Sequence, residues 1–557
     1  MVNAELDVKT GYIILECSYE DRNIAKSVGA SWNKKSRKWY FPIANFPVLD
    51  DLNSCKDILL SKELISLYQD LRFREEYSDK IKHSDLNDIP DEDGYDGLYG
   101  HQKKTLAFGH VRGHYADLSD CGTGKTIATL AVVSKINKEY PELGCGLRKG
   151  VKALVVAPKS IIMSGWVADC EKAFPDLTAI PVMGTREEKL KAFEEDANIY
   201  VTNYETMNQG FEIPKGFFDV LICDEAVKLK NPNAQWTKNI TELSKDIKHK
   251  IIISGLITPN NLMEVYAPFN ILEYGILGKS YYQFRTKYFT PNPFSYMNSE
   301  WIPKKDSEKK ITKKIERLII RHKKSECLDL PDKSHMLREV SMSSEQQRDY
   351  KKMEKEFYLE LAEGDVMAVN AGAKIQKLQQ IASGFIYTEE DGKRVTKRLH
   401  NQKFKELKSM LEGELINEQV IVFCSYQAEI DIFRESYPDE SYIVGHQRTS
   451  DQEENIRRFK NGDARILFAN MQASKYGLTF TNCNNVIYYS LTYSLDDLYQ
   501  SQERIHRIGQ TKNCNYIYLI AKDTIDKKIY RAVTKKQSLN DMLYEMIEEI
   551  QTKKEKK

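Results

Sequence analysis

Apolar runs recur along this chain, and amphipathic helical patterns separate them. The runs KALVVAP, NIYVTN, FDVLICDE and KIIISG lie before residue 290, and QVIVFCS, ARILFAN, NNVIYYS and NYIYLIA follow from about residue 419. Near-continuous apolar strands that alternate with helices are typical of parallel sheets covered on both faces. The pattern therefore predicts an α/β fold with two parallel-sheet lobes, at residues 95–290 and 401–530.

The segments outside these lobes have other patterns. Residues 1–60 combine alternating strands such as YIILECSY with a short helical pattern, which predicts a small α/β module. Residues 61–94 end in an acidic, turn-rich stretch with few apolar residues, so we expect a helical and acidic linker. Residues 291–400 are predicted to be a helical, basic connecting region, and residues 531–557 a helix with a charged tail.

Composition narrows the class of protein. With 557 residues, the chain is too long for a single hydrophobic core and should form several domains. Its residues are 41% hydrophobic and 29% charged, as in globular proteins. No apolar run approaches the length of about 18 residues that crosses a bilayer, and the first residues lack the pattern of a secretion signal. The ten cysteines form no C-x-x-C pair, which predicts reduced thiols, no structural metal and a cytoplasmic protein. The many tyrosines, lysines and isoleucines suggest a phage or bacterial source.

The net charge of +1 means that any nucleic-acid surface must come from local clusters of basic residues. The densest clusters lie at residues 304–324 and 33–39. Lysine runs are most often solvated helix faces, so neither cluster by itself predicts binding.

A candidate nucleotide site begins with HYADLSDCGTGKTIATLAVV, which predicts a strand, a glycine turn and a helix. Gly122 and Gly124 would let backbone N–H groups surround a phosphate, Lys125 would reach the terminal phosphates, and Thr126 would ligate magnesium. Ser119 replaces the first glycine of the general phosphate-loop pattern, whereas the tighter D-x-G-x-G-K-T form is present. The alternative is an ordinary turn between a strand and a helix.

The run FDVLICDEAVKLKN places two carboxylates at the end of a predicted strand. Asp224 would hold magnesium, and Glu225 would orient or deprotonate the attacking water. Paired acids at strand ends also serve as caps, but with the upstream loop they predict nucleotide hydrolysis. Arg504 and Arg507 in QSQERIHRIGQ would then stabilise the charge on the γ-phosphate. The alternative for these arginines is a set of salt bridges on a helix face.

From about residue 95 to about 525, the chain resembles the Swi/Snf-related DNA translocases of helicase superfamily two. LYGHQKK resembles the adenine-sensing segment with its glutamine, Gln102, and SDCGTGKT and DEAVKLKN resemble motifs I and II. LVVAPKSIIMSGW is similar to motif Ia with its downstream tryptophan, Trp166. ILGKSYYQFRTKYF, LIIRHKKSECLDLPDK and QSQERIHRIGQ are similar to stretches that distinguish this family from other helicases.

The resemblance implies two RecA-like lobes that grip duplex DNA and step along it with ATP and Mg²⁺, usually without separating the strands. It implies Arg504 and Arg507 as arginine fingers. The residues implied to bind the nucleotide are Gln102, Asp120, Gly122, Thr123, Gly124, Lys125 and Thr126. The residues implied to contact the DNA backbone are Lys159, Ser160, Thr202, Ser425 and Thr479. Backbone contacts carry no sequence information, so we expect little sequence preference.

Three motifs depart from the family pattern. Val227 stands where motif II usually has histidine, Leu256 and Ile257 replace part of the expected T-G-T-P, and ASKYGLTF keeps one glycine of motif V. These motifs link the ATP state to the grip on DNA in the family. We therefore predict an active ATPase and leave the efficiency of the motor open.

The N-terminal stretch SVGASWNKKSRKWYFP resembles the HARP-type modules of annealing helicases. Trp32 and Trp39 could stack on unpaired bases while Lys35 and Arg37 meet phosphates, so the module is a candidate for recognising DNA structure. The alternative is that the aromatic residues form the core of a small domain.

These observations predict a DNA-stimulated ATPase that translocates on double-stranded or branched DNA. It would remodel forks or bubbles or displace bound protein, in replication, repair or recombination, and a DNA-bound protein is a candidate partner. One alternative is a strand-separating DNA or RNA helicase, which the RIHRIGQ stretch disfavours. The other is a nucleotide-gated DNA-binding or scaffold protein with an uncoupled motor.

Overall fold

The computed structural model describes residues 2–7, 12–34, 36–41, 45–89, 94–139, 150–209, 216–255, 262–292, 301–363, 368–390, 392–445, 447–471, 479–492 and 494–534. Lys35, Leu256, Ile257, most of ASKYGLTF and, from residue 535 onward, the predicted C-terminal helix and tail lie outside these residues. The chain forms two compact units, residues 1–327 and 328–557, which are described separately below.

The first unit begins with a small mixed sheet in the order β3-β4-β2-β1-β5. Its side chains alternate between buried and exposed along β2, so one face packs on a core that includes Ile13, Leu15, Phe41 and Leu49. The elements are β1 (Val2–Asp7), β2 (Tyr12–Glu16), α1 (Arg22–Ser27), β3 (Ser31–Asn33), β4 (Lys38–Phe41), α2 (Phe46–Ser54), β5 (Ile58–Leu60) and the long helix α3 (Lys62–His83).

A seven-stranded sheet, parallel throughout, follows in the same unit in the order β14-β6-β11-β10-β7-β9-β8. Its elements, in chain order, are α4 (Gly100–Arg112), β6 (His114–Asp117), α5 (Lys125–Glu139), β7 (Ala153–Ala157), α6 (Ala168–Ala173), β8 (Ala179–Pro181), α7 (Arg186–Glu194), β9 (Ile199–Asn203), β10 (Val220–Asp224), α8 (Gln235–Ser244) and β11 (His249–Ile253). They continue with α9 (Tyr266–Leu272), α10 (Tyr281–Tyr288), the hairpin β12 (Phe289–Pro291) and β13 (Trp301–Pro303), α11 (Ser307–Ile315), β14 (Ile319–Ile320) and α12 (Lys324–Cys327).

The central strands of this sheet are mostly apolar, and their side chains are buried on both faces. Leu154 and Val156 of β7 enter one core, and Ala153 and Val155 enter the core on the opposite face. Such double burial is what the near-continuous apolar runs of the sequence require.

The second unit contains a six-stranded sheet, again parallel throughout, in the order β15-β22-β21-β18-β20-β19. Its elements are β15 (Lys333–Val340), α13 (Ser344–Glu363), α14 (Ala368–Ser383), the hairpin β16 (Phe385–Glu390) and β17 (Lys393–Arg398), α15 (Gln402–Glu412), β18 (Val420–Cys424) and α16 (Gln427–Ser436). The rest are β19 (Ser441–Ile443), α17 (Thr449–Asn461), β20 (Ile466–Asn470), β21 (Asn485–Tyr488), α18 (Leu495–Gln502), β22 (Cys514–Ala521) and α19 (Ile525–Thr534).

The two parallel sheets and their flanking helices confirm the predicted α/β fold class. The segment 291–400 is divided between the units, because β14 joins the first sheet and β15 joins the second. Within the described residues, no helix combines the length and the apolar character that a membrane crossing requires.

Candidate functional site

The predicted phosphate loop lies between the end of β6 at Asp117 and the start of α5 at Lys125. Gly122 and Gly124 have φ angles of 80° and 78°, in the left-handed region that favours glycine. A Cβ atom on Gly124 would lie 2.2 Å from Nε2 of Gln102. The tight conformation of the loop therefore depends on glycine at position 124.

Lys125 extends over the loop from the first turn of α5. Its Nζ donates to the carbonyl oxygens of Ser119 and Asp120, at 2.7 and 3.1 Å. Thr126 follows it in the same turn and is half-buried. A nucleotide phosphate in the loop would therefore meet an ammonium group and a hydroxyl group from adjacent residues.

Helix α4 supports the loop from one side. His101 Nε2 lies 2.7 Å from the carbonyl oxygen of Thr123, and Gln102 Nε2 donates to the carbonyl oxygen of Gly124 at 3.2 Å. Gln102, which the sequence predicted as an adenine sensor, thus contacts the loop itself. Its role toward adenine stays a prediction.

The segment after β14 also supports the loop, and it contacts α4 through the rings of His322 and His101, whose centroids are 5.6 Å apart. The N–H of His322 donates to Oγ of Ser119 at 3.0 Å, and the N–H of Lys324 donates to Oδ2 of Asp120, also at 3.0 Å. Asp120, predicted among the nucleotide-binding residues, therefore anchors the loop to this segment. The contribution of residues 322–324 was not predicted, because more than 200 residues separate them from the loop.

Asp224 ends β10, and β11 lies between β10 and β6. Because all three strands are parallel, Asp224 and the phosphate loop lie at the same carboxyl edge of the sheet. The indole N–H of Trp166 donates to Oδ2 of Asp224 at 2.9 Å, and the N–H of Glu225 donates to Oδ1, also at 2.9 Å. The carboxylate is therefore held in one orientation.

Burial raises the pKa of the Asp224 carboxyl above its usual value. The hydrogen bond from Trp166 and the positive charge of Lys125 oppose this rise, because both favour the ionised form. The sequence marked Trp166 only as part of motif Ia. The structure adds that its indole supports the acidic residue of motif II.

Glu225 follows in a left-handed conformation, with φ 50° and ψ 53°. A non-glycine residue there costs on the order of 1 kcal/mol, and such strain is found preferentially at functional sites. The side chain is half-buried at the end of the strand, and Val227 lies in the short helix that follows.

The side chains at this edge fit a magnesium nucleotide. Thr126 and Asp224 offer oxygen ligands, and magnesium is typically bound by one or two protein groups together with substrate phosphates. The ion, when bound, would neutralise charge that develops on the phosphates. Within the described residues, no cluster of three or more His, Cys, Asp or Glu side chains could hold a metal ion.

Arg504 and Arg507 lie directly after α18 in the second unit. Arg504 is buried, and its carbonyl oxygen accepts from the N–H of Phe480 at 2.9 Å. Arg507 Nη1 donates to Oγ1 of Thr479 at 2.8 Å. The segment therefore packs into the unit, and its role as a pair of arginine fingers stays a prediction.

The predicted DNA-backbone residues have different environments. Lys159 is exposed and Ser160 half-buried, in the short helix that follows β7 at the carboxyl edge of the first sheet. Thr202 is fully buried and donates to the carbonyl oxygen of Val182 at 3.0 Å, so it supports a strand and presents no surface. Ser425 is half-buried after β18, and Thr479 accepts from Arg507.

The candidate DNA-binding residues of the N-terminal module lie on the hairpin of β3 and β4. Trp32 and Arg37 are exposed, and Trp39 is half-buried. Lys35 lies outside the described residues.

Comparisons with known proteins agree with this architecture. The model of the SNF2-related domain matches residues 116–396, and the helicase conserved C-terminal domain matches residues 402–509. A domain of unknown function (DUF5710) matches residues 13–45, so the resemblance of this segment to HARP-type modules stays a prediction.

Several relatives are similar over most of the chain. Protein p41 of Acyrthosiphon pisum secondary endosymbiont phage 1 is 24% identical over 446 residues, which cover 76% of this chain and 93% of that protein. An ATP-dependent helicase of Mycoplasma genitalium is 25% identical over 399 residues, which cover 70% of this chain and 37% of the helicase. An ATP-dependent helicase/translocase of Bacillus subtilis is 24% identical over 444 residues, which cover 76% of this chain and 46% of that protein. The chain thus spans less than half the length of these two bacterial relatives.

Among solved structures, the chain is similar to the SWI2/SNF2 ATPase core of Sulfolobus solfataricus in complex with dsDNA. The identity is 21% and the TM-score is 0.38, and the match covers 79% of this chain and 91% of the other.

The SNF2-related match covers residues 116–396, which is half of the 557 residues, and the helicase C-terminal domain follows it directly. The resemblance inferred from the motifs is therefore confirmed, as is the prediction of a helicase-like ATPase. The chain belongs to the SNF2-related family of helicase-like ATPases.

Proposed function

We propose that this chain is a DNA-stimulated ATPase that translocates on double-stranded DNA. It remodels forks or bubbles, or displaces bound protein, in replication, repair or recombination. The observation that carries the proposal is that the Lys125 loop and the Asp224 carboxylate lie at one carboxyl edge of a single parallel sheet. This is where parallel α/β sheets bind nucleotides.

The residues at this edge, and two arginines of the second unit, have the following proposed roles in hydrolysis. Gly122, Gly124 and Lys125 bind the phosphates, and Thr126 and Asp224 hold the magnesium ion. Glu225 orients or deprotonates the attacking water. Arg504 and Arg507 stabilise the negative charge that builds on the γ-phosphate.

Two observations support movement along nucleic acid, and along duplex DNA in particular. The relative from Bacillus subtilis is described as a helicase/translocase, which favours movement along nucleic acid. The stretch QSQERIHRIGQ is similar to one that sets this family apart from other helicases, and the resemblance implies movement on duplex DNA, usually without strand separation. The phage and bacterial relatives support a bacterial or phage-infected cell as the setting.

Steady-state ATP hydrolysis tests the proposal. The wild type and Lys125→Ala are compared without DNA, with duplex, with single strand and with a fork, each with Mg²⁺ and with EDTA. We expect stimulation by duplex or fork that Lys125→Ala and EDTA abolish. Turnover that ignores every DNA would instead favour a nucleotide-gated binding protein.

A strand-displacement assay on a partial duplex separates the two motor classes. A duplex translocase leaves the strands paired while it hydrolyses ATP. ATP-dependent release of the shorter strand would identify a strand-separating helicase and refute the proposed mode of action.

A further inference from the structure

The N-terminal module contains a cleft of about 640 Å³, bounded by the end of β2, helix α1 and the hairpin of β3 and β4. This volume lies within the range of about 300 to 1,000 Å³ that holds small organic ligands. Leu15, which is buried, and Trp39 line it, together with the more exposed Tyr19 and Trp32. The cleft is separate from the phosphate loop.

Two of the aromatic side chains that line the cleft, Trp32 and Tyr19, are exposed. Trp32 lies directly opposite Trp39 in the hairpin, with ring centroids 5.3 Å apart. Trp32 is 47% exposed and Tyr19 is 79% exposed, whereas Phe41 of the same module is buried in its core. The alternative that the aromatic residues of this segment form the core therefore fits Phe41 and Trp39, which packs against the core, but it does not account for Trp32.

The rim of the cleft is basic. Arg22, Lys26, Arg37 and Lys38 line it, and among its described lining residues Glu16 alone is acidic. Glu16 pairs with Lys38 at 2.8 Å. The remaining basic side chains make the cleft attractive to an anion.

Two details of the rim point to a ligand with a flat face and a negative charge. The guanidinium of Arg22 stacks over the ring of Tyr19 at 3.9 Å, so a cation and an aromatic face occur together. Arg37 has a φ of 53°, although an asparagine or glycine would adopt this conformation more readily. The hairpin therefore keeps an arginine at the cleft where local sterics favour another residue.

An unpaired nucleotide combines these properties. Its base offers a planar face for stacking on tryptophan or tyrosine, and its phosphates pair with arginine and lysine. A duplex hides its base faces within the stack, and an acidic peptide would use the basic rim but leave the tryptophan faces without a planar partner. The occupant that the cleft favours is thus single-stranded.

We propose that this cleft binds an unpaired base of single-stranded DNA, with the flanking phosphates on Arg22, Lys26 and Arg37. The site deepens the proposed function and rests on it, because forks and bubbles expose unpaired bases beside duplex DNA. It assigns a ligand to the segment that matches a domain of unknown function.

The module is attached to the same compact unit as the phosphate loop. Asn45 Nδ2 donates to the carbonyl oxygen of Tyr274 at 3.2 Å. Lys279 Nζ donates to the carbonyl oxygen of Gly29 and lies 5.3 Å from the centroid of the Phe41 ring. An unpaired strand held in the cleft is therefore fixed relative to the first lobe.

The test is the affinity of the full chain for a fluorescein-labelled single strand of about 16 nucleotides, measured by anisotropy. Trp32→Ala should weaken binding about tenfold, since each stacked base contributes substantially to affinity. Phe73→Ala is the matched control, because Phe73 is 64% exposed on α3 and does not line the cleft. Circular dichroism verifies that each variant is folded.

An abasic strand separates stacking from charge. Trp32→Ala should lose affinity for the normal strand but hardly change affinity for the abasic one. Lys26→Glu should reduce the slope of log affinity against log salt by about 0.7 or more, and Lys56→Glu, on the same module but outside the cleft, should not. A variant that merely disturbed the fold would not show this selectivity.

The outcomes separate the cleft from the motor. If Trp32→Ala and Lys26→Glu bind single strand like the wild type while duplex still stimulates ATP hydrolysis, the cleft proposal is wrong. If the variants lose single-strand binding but no DNA stimulates hydrolysis, the cleft proposal stands and the proposed motor fails. A wild type that does not bind single strand at all overturns the cleft proposal and leaves a peptide as the alternative occupant.

Discussion

Replacing Trp166 with phenylalanine tests the interpretation of the acidic strand end. The substitution keeps an aromatic ring in the core but removes the indole N–H that donates to Oδ2 of Asp224 at 2.9 Å. Trp166 is only 1% exposed, so water cannot readily replace the lost donor. The carboxylate would then have less support for its ionised form.

The size of the effect follows from the contacts of the carboxylate. A hydrogen bond to a charged group contributes about 1.5 to 3 kcal/mol, which corresponds to roughly 10- to 100-fold in an equilibrium or a rate. The N–H of Glu225 still donates to Oδ1 in the variant. We therefore expect the lower end of the range, about a tenfold loss, which is typical for residues that orient metal ligands.

The assay is ATP turnover as a function of Mg²⁺ concentration, in the presence of duplex DNA. Trp166→Phe should need about tenfold more Mg²⁺ for half-maximal turnover or should turn over about tenfold more slowly. Trp236→Phe is the matched control, because its indole N–H donates to the carbonyl oxygen of Lys228 and not to a carboxylate. A folded Trp166→Phe variant with an unchanged Mg²⁺ profile would refute the support role of the indole.

Three further predictions concern the loop and the packing of the first unit. Gly124→Ala would place its Cβ 2.2 Å from a side-chain amide, at a backbone φ of 78° that alanine disfavours, so the affinity for a fluorescent nucleotide should fall at least about tenfold. Gly97→Ala is the control, because the space around Gly97 is open and nucleotide affinity should not change. Glu75→Gln removes the carboxylate that pairs with two arginines, so the free energy of unfolding measured with denaturant should fall by about 3 kcal/mol. Glu76→Gln is the control, because Glu76 forms an exposed ion pair and its loss should change the free energy of unfolding little. Burial lowers the pKa of His322 to about 4, so the unfolded chain binds more protons between about pH 4 and 6.5. His322 should therefore contribute a rise in stability of about 2 kcal/mol from pH 5 to pH 7, and a His322→Asn variant with the same pH dependence of thermal unfolding as the wild type would contradict this.

The parallel sheets could be predicted because their signal is local. Strands such as β10 and β18 are buried at every position, so they appear in the sequence as unbroken apolar runs. The phosphate loop and the paired carboxylates were also predictable, since each follows such a run directly. The two-residue strand β14 was not, because so short an element leaves no periodicity.

The contacts that support the site could not be predicted from local pattern. His322 meets Ser119 across 203 positions of sequence, and Trp166 meets Asp224 across 58. Such pairs are set by the order of strands in the sheet, which the apolar runs do not encode. Thr202, which the family resemblance implied as a contact to the DNA backbone, has its hydroxyl satisfied inside the lobe, and its contact with DNA stays a prediction.

Displacement of a third strand from a DNA triplex tests the central claim most directly, because a motor that moves along duplex DNA strips the third strand without opening the duplex. We predict ATP-dependent and Mg²⁺-dependent release by the wild type and none by Lys125→Ala. Triplexes that stay intact while duplex DNA stimulates ATP hydrolysis would contradict translocation and leave an ATPase that DNA activates without movement.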